Sequence, residues 1–205
     1  MKVIFYGIGI GPGDPEHITL KAVRMMKEVD VIAAPGTEVK ETLAYRIAVQ
    51  AVHEIEQKEM LPIDMPMTMD KEMLLKAHKN GAETIEKVLA EGKSVGFITL
   101  GDTTVYSTFS YLEKIVKNHG FETVYISGIT SFCAAAASLG IPITEWQEPL
   151  HVIPAVHQLD DKLALDGSYV LMKSGRQMPK VKEILKASGR KVNMVENCGL
   201  PNENK

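Results

Sequence analysis

Three times along the chain, a short apolar run stops at glycine and gives way to residues with helical spacing. Val3-Ile4-Phe5-Tyr6-Gly7-Ile8-Gly9 leads into Asp14-Pro15-Glu16, residues 94–100 lead into Gly101-Asp102, and Thr123 to Ile126 lead into Gly128. An apolar run without polar alternation is the pattern of a strand covered on both faces, as in a parallel sheet. Such strands alternating with helices predict an α/β fold with helices on the faces of the sheet. Ligands of these folds gather beyond the carboxyl ends of the strands, which is where every glycine cluster here falls.

The remaining punctuation fills in the order of elements. Asp14 as a cap, Pro15 at the first helical position and Glu16 in the first turn predict a helix running on to Lys27. A strand over 29–34 ends at Pro35-Gly36, and amphipathic helices are expected over 40–58 and 70–91. The Pro/Met-rich stretch 61–69 between them is expected to be a loop. Helices are expected over 106–118 and 131–139. Residues 140–149 have the turn chemistry of a linker, followed by strand-like runs at 150–154, 168–172 and 191–195 and a helix near 178–187. The expected organisation is an N-terminal α/β domain over 1–145 and a smaller α/β domain over 146–205.

Composition narrows the function classes. The chain has 205 residues, 45% hydrophobic and 24% charged, with formal net charge −3. That balance supplies no general basic field for a nucleic-acid backbone. Cys133 and Cys198 lie far apart without CxxC spacing, which fits free thiols in a reducing cytoplasm. The amino-terminal run reaches glycine too soon for a secretory segment, and no apolar stretch approaches the length of a membrane helix. The six histidines show no ligand spacing, so no protein-held metal is expected.

The opening Gly7-Ile8-Gly9-Ile10-Gly11-Pro12-Gly13-Asp14 is not a dinucleotide fingerprint. The sixth position of GxGxxG is Pro12, Asp14 or Glu16 in the three registers, and the second strand ends in Ala33-Ala34-Pro35 with no acid for a ribose. A nicotinamide oxidoreductase is therefore disfavoured, and the P-loop pattern is absent too. Four glycines and a proline in seven residues still point to close approach of backbone to a partner. In Leu100-Gly101-Asp102-Thr103-Thr104-Val105-Tyr106-Ser107-Thr108, Asp102 lands at the sheet edge, either capping the next helix or holding a partly cationic ligand. Ser127-Gly128-Ile129-Thr130-Ser131-Phe132 repeats the design, with hydroxyls and N–H groups at a helix start.

Together, GxGPGDPExxT, GDxxxYST and GITSF at three successive strand ends resemble the tetrapyrrole methylases, the family of corrin, sirohaem and diphthine methyltransferases. Residues 106–112, 129–137 and 150–155 resemble most the branch that methylates C20 of precorrin-2 or cobalt-factor II in cobalamin biosynthesis. The resemblance covers the whole chain. It implies two α/β domains with S-adenosylmethionine folded in the cleft between them, and a homodimer. Carried over by position, Pro12, Gly101, Asp102, Val105, Thr130 and Ser131 would hold the cofactor from the first domain. Met172 and the backbone at Cys198 and Gly199 would contact its adenosine part. Thr103 stands where the family commonly has proline, which is expected to loosen that loop. The family's second domain continues past Lys205, so the second domain is expected to be incomplete.

The chemistry implied needs alignment and exclusion of water more than acids and bases; orientation alone can supply about 7–11 kcal/mol. No catalytic triad is expected. Tyr106 and Glu145 are the candidates for assisting loss of the C20 proton, beside water itself. A carboxylate-edged ring would need cations, for which Lys40, Arg46, His151, Lys173 and Arg176 are candidates. Met60, Met65, Met67, Met69 and Met73 would either floor the ring or fill core gaps. The alternatives are a methylase acting at another ring carbon such as C11, a diphthine-type methylase, and a non-catalytic binding fragment. An RNA methylase lacks its Ser-Asp-Pro-Gly here.

Overall fold

A computed structural model describes residues 2–68, 70–155 and 163–205, apart from the Arg176 side chain. It divides into two compact units, the first Met1–Ser131 with Gly199–Pro201 and the second Phe132–Cys198 with Asn202–Lys205.

The first unit is built on five parallel strands: β1 Ile4–Gly9, β2 Val31–Pro35, β3 Glu59–Ile63, β4 Val95–Thr99 and β5 Glu122–Ile126. Their order is β3-β2-β4-β1-β5, with β1 flanked in parallel by β4 and β5. Alternate residues of each strand enter opposite faces, as the two-residue period of a strand requires. On one face Ile8, Ile10, Ile32, Ala34 and Ile98 pack against helices α1 (Leu20–Glu28) and α2 (Leu43–Ala51). On the other, Phe5, Val31, Ala33, Val95 and Phe97 pack against α3 (Lys71–Ala90) and α4 (Phe109–Asn118).

Several expected boundaries move. The first helix starts at Leu20, not at Pro15, because the Thr19 hydroxyl takes the N–H of Ala22. Asp14 caps only a single turn of 3-10 helix over Pro15–His17. The segment expected as one helix over 40–58 is three pieces. A 3-10 turn over Val39–Glu41 comes first, Thr42 then caps α2 through Tyr45, and Val52, at φ −139°, ends it before another 3-10 turn over His53–Gln57. Residues 59–63 form a strand where a loop is expected from residue 61. Pro62 is tolerated there because β3 lies at the sheet edge and needs to pair on one side alone.

In the second unit, β6 (Leu150–Pro154) and β7 (Ser168–Met172) pair in parallel. Helix α5 (Ser131–Leu139) begins at the last residue of the first unit, and α6 (Met178–Ser188) brings Val181 to a small core with Ala155 and Leu163. The strand expected at 191–195 does not form: these residues are mostly exposed and pair with no strand. The chain instead turns back through an antiparallel bridge between Glu196 and Asn204.

Candidate functional site

The sheet order locates a switch point. From β1 the chain crosses toward β2 by way of α1, and from β4 it crosses toward β5 by way of α4, on the opposite face. The two connections part between adjacent strands β1 and β4, and a crevice opens beyond the carboxyl ends of such a pair. Gly11 and Gly101 meet there in an antiparallel bridge, with Gly101 N–H donating to the Gly11 carbonyl at 2.8 Å and Gly11 N–H returning to Gly101 at 3.3 Å.

β4 and β5 are not neighbours, since β1 lies between them, so their exit loops must close over the end of β1 to touch. They do so backbone against backbone. A Cβ on Gly9 would lie 2.7 Å from both the Gly101 carbonyl oxygen and the Gly128 nitrogen, and one on Gly128 would run into the same carbonyl. Gly101, at φ +70°, makes its turn in the left-handed region where glycine is favoured. Two residues earlier on the same face of β1, a Cβ on Gly7 would enter the Phe109 ring, so α4 sits down directly on the strand.

Asp102 reaches across this junction. One oxygen accepts the Thr104 N–H at 2.7 Å and the Thr104 hydroxyl; the other accepts the Gly128 N–H at 2.9 Å. Burial pushes its carboxyl up, but the hydrogen bonds from Thr104 and Gly128, aided by the Ser127 hydroxyl, outweigh it and hold the group below the usual carboxylate range. It does not cap the following helix, where no side-chain cap bond forms at Thr108. Thr103 corrects the expectation of a loosened loop. Its side chain is fully buried and its hydroxyl donates to the Ile126 carbonyl at 3.2 Å, tying the β4 loop to β5.

The edge also carries Pro12, Val105 and Ser131, each half-buried, and Tyr106, which is exposed and held at φ +50°. Thr130 presents a buried hydroxyl with no partner. A second orphaned atom, His17 Nδ1, lies under the same region, where a Cβ on Gly11 would meet the His17 side chain at 3.0 Å. Sequence reasoning passed over His17, since its position behind Gly11 depends on the 3-10 turn. Gly199 joins the edge: a Cβ there would lie 2.5 Å from the Asp14 nitrogen, and Leu200 packs on the core beside it.

Pro12, Gly101, Asp102, Val105, Tyr106, Thr130, Ser131 and Gly199 thus all belong to the first unit. Met172, Cys198 and Glu145 belong to the second. Met172 ends β7, Glu145 is exposed, and burial followed by the nearby Glu203 carboxylate pushes the Cys198 thiol up. Of the candidate cations, Lys40, Arg46 and Lys173 are exposed. His151 is engaged within its own unit, stacked on Tyr169 at 4.7 Å with Nε2 at 2.9 Å from the Asp166 carbonyl. The Arg176 side chain and Met69 lie outside the described residues. The methionines do not form one floor: Met60 and Met65 pack on opposite faces of the sheet, and Met67 and Met73 are exposed. Among the described residues no cluster of three metal-ligating side chains occurs.

A parallel sheet with opposed crossovers and a main-chain junction at its switch point defines a doubly wound α/β protein whose candidate site is at the carboxyl edge. The chain belongs to the tetrapyrrole (corrin/porphyrin) methylases, whose family model matches residues 4–205. It is 36% identical over 199 residues to the "Probable cobalt-precorrin-2 C(20)-methyltransferase" of Methanocaldococcus jannaschii, covering 97% of this chain and 84% of that protein. It is 31% identical to the precorrin-2 C(20)-methyltransferase of a Sinorhizobium species, over 90% of this chain and 78% of that one. The cobalt-precorrin-4 C(11)-methyltransferase of M. jannaschii matches at 31% over 70% of this chain and 48% of its own length. Among solved structures, a cobalt precorrin-4 methyltransferase superposes with TM-score 0.71 at 22% identity, covering 98% of this chain and 83% of that one. The uroporphyrin-III C-methyltransferase of Thermus thermophilus, complexed with S-adenosylhomocysteine, superposes with TM-score 0.62 at 22% identity, covering 98% and 85%.

Proposed function

We propose that this chain transfers a methyl group from S-adenosylmethionine to C20 of precorrin-2 or its cobalt-loaded form, on the route to cobalamin. The observation that carries the reading is the extent of similarity: relatives named for C20 match along nearly the whole chain, whereas the relative named for C11 matches over less of it. The edge suits a sulfonium nucleotide. A Cβ on Gly101 would meet nothing nearer than the Ile129 carbonyl oxygen at 4.0 Å, so backbone there leaves room for close approach, and the buried Thr130 hydroxyl lacks a partner that a polar ligand would supply. Pro12, Gly101, Asp102, Val105, Thr130 and Ser131 form the proposed cofactor edge, with Gly199 beside Asp14. Met172 and Cys198 are proposed as adenosine contacts on the family pattern alone.

When bound, the cofactor supplies an activated methyl group. The protein's residues then need to orient and exclude water, a task suited to a junction fixed through the main chain. Tyr106, exposed on the β4 loop, is the proposed aid to proton departure from C20. Homodimerisation and residence in the cytoplasm are proposed with this activity; no helix among the described residues is long and apolar enough to cross a membrane. Incubation with labelled S-adenosylmethionine and either metal-free or cobalt-loaded ring, followed by product analysis, tests the proposal. A methyl group at C20 is expected. A methyl group at C11 or elsewhere refutes the branch, and no transfer to either ring refutes the activity.

A further inference from the structure

We propose that Asp102 is a positioning residue, a clamp that fixes the β4 and β5 exit loops over the end of β1, and not a direct ligand of the cofactor's cationic part. The inference rests on the reading of this edge as the cofactor site and deepens it. The geometry is specific. An ionised carboxylate is an acceptor only, and both oxygens of Asp102 already accept from the protein. The Thr104 N–H and hydroxyl take one, and the Gly128 N–H takes the other. The residue is 8% exposed, which leaves little surface for a ligand. Its two sets of partners lie on different loops, 26 residues apart at Gly128, and those loops leave strands that have no direct hydrogen bonds to each other.

What the clamp sets is spacing. With Asp102 charged, Gly128 N–H is drawn toward the β4 loop, which keeps the Gly101 carbonyl against Gly9 and Gly128. Two residues beyond Gly128 is Thr130, whose unpartnered buried hydroxyl is the group offered to a ligand. Thr103 adds a second bolt from the same loop to Ile126, the last residue of β5. Three consecutive residues, Asp102, Thr103 and Thr104, therefore serve one joint, and the cofactor edge is their product.

The test uses the full chain with Asp102→Asn, Thr104→Val, Thr104→Ser and the double variant D102N/T104V. Two quantities are read: the thermal midpoint without ligand, and the affinity for S-adenosylhomocysteine by calorimetry well below every midpoint. A clamp predicts that D102N weakens affinity by about tenfold or more, and T104V by about threefold or more, although Thr104 touches no ligand in this reading. T104S keeps both donors to Asp102 and should bind like the wild type. The double variant should be no weaker than D102N alone, because both changes open the same joint. A purely structural role would lower midpoints while leaving affinity at the lower temperature unchanged, and that result overturns the proposal. So does a T104V variant that binds as tightly as wild type while D102N does not, the signature of a direct ligand. If D102N fails to fold, the contrast between T104V and T104S decides. If the wild type binds no S-adenosylhomocysteine, the cofactor reading itself fails. The midpoints then decide the clamp, non-additive losses supporting it and additive losses refuting it.

Discussion

Replacing Gly9 by alanine tests the main-chain junction most directly. The added methyl group would sit 2.7 Å from the Gly101 carbonyl oxygen and 2.7 Å from the Gly128 nitrogen. Ordinary contact needs roughly 3.5 Å or more, so each neighbour must retreat by nearly an ångström. Neither is the free end of a side chain that could swing aside. Both are backbone atoms of loops held by the Gly11–Gly101 bridge and the Asp102 bonds. Overpacking typically costs about 1–3 kcal/mol, and this site belongs at the upper end. For a chain of this size, about 3 kcal/mol corresponds to a fall in thermal midpoint of about 6–12 °C. Gly175→Ala is the control: nothing lies within 4 Å of its added Cβ and its φ is not in the left-handed region, so its midpoint should stay level or rise slightly. Differential scanning calorimetry of both variants reads the difference. A Gly9→Ala midpoint within about 1 °C of the wild type would show that the loops yield freely, and the argument for a rigid edge would fail.

Three further outcomes follow from contacts already described. Phe109→Ala, which removes a fully buried ring packed against Phe5, Phe97 and Tyr125, should cost about 3–5 kcal/mol in urea denaturation. Thr42→Ala removes the acceptor of the Tyr45 N–H and a 2.7 Å bond to the Val39 carbonyl, and should cost about 1 kcal/mol by the same assay. Because the folded Asp102 carboxyl lies below its ordinary value, its contribution is present above that value and is lost as pH falls through the folded pKa. Urea midpoints measured from about pH 6 down to about pH 3 should therefore fall less steeply for Asp102→Asn than for the wild type; parallel slopes would show that the carboxylate is not held in its charged form.

The amino-acid sequence displayed β1, β4 and β5 plainly, because they are apolar runs cut by glycine, and it placed the three loops at one edge. It hid what depends on distant partners. β3 was obscured by Pro62, which a central strand would exclude and an edge strand accepts. The break between α2 and the 3-10 turn at His53 depends on the Val52 backbone, where the apolar spacing continues unchanged across it. Residues 191–195 have the composition of a strand but no strand to pair with. Asp102 could be recognised as an edge residue, yet its work depends on Gly128, which only the topology brings within reach.

The meeting of Gly9, Gly101 and Gly128 leaves the identities of the flanking side chains unconstrained by the joint itself. Pro12, Val105 and Ile129 stand next to a frame that does not lean on them. An experimenter seeking altered ligand preference should vary these three in combination and leave the glycines untouched, because the scaffold and the lining are separate layers of the same edge.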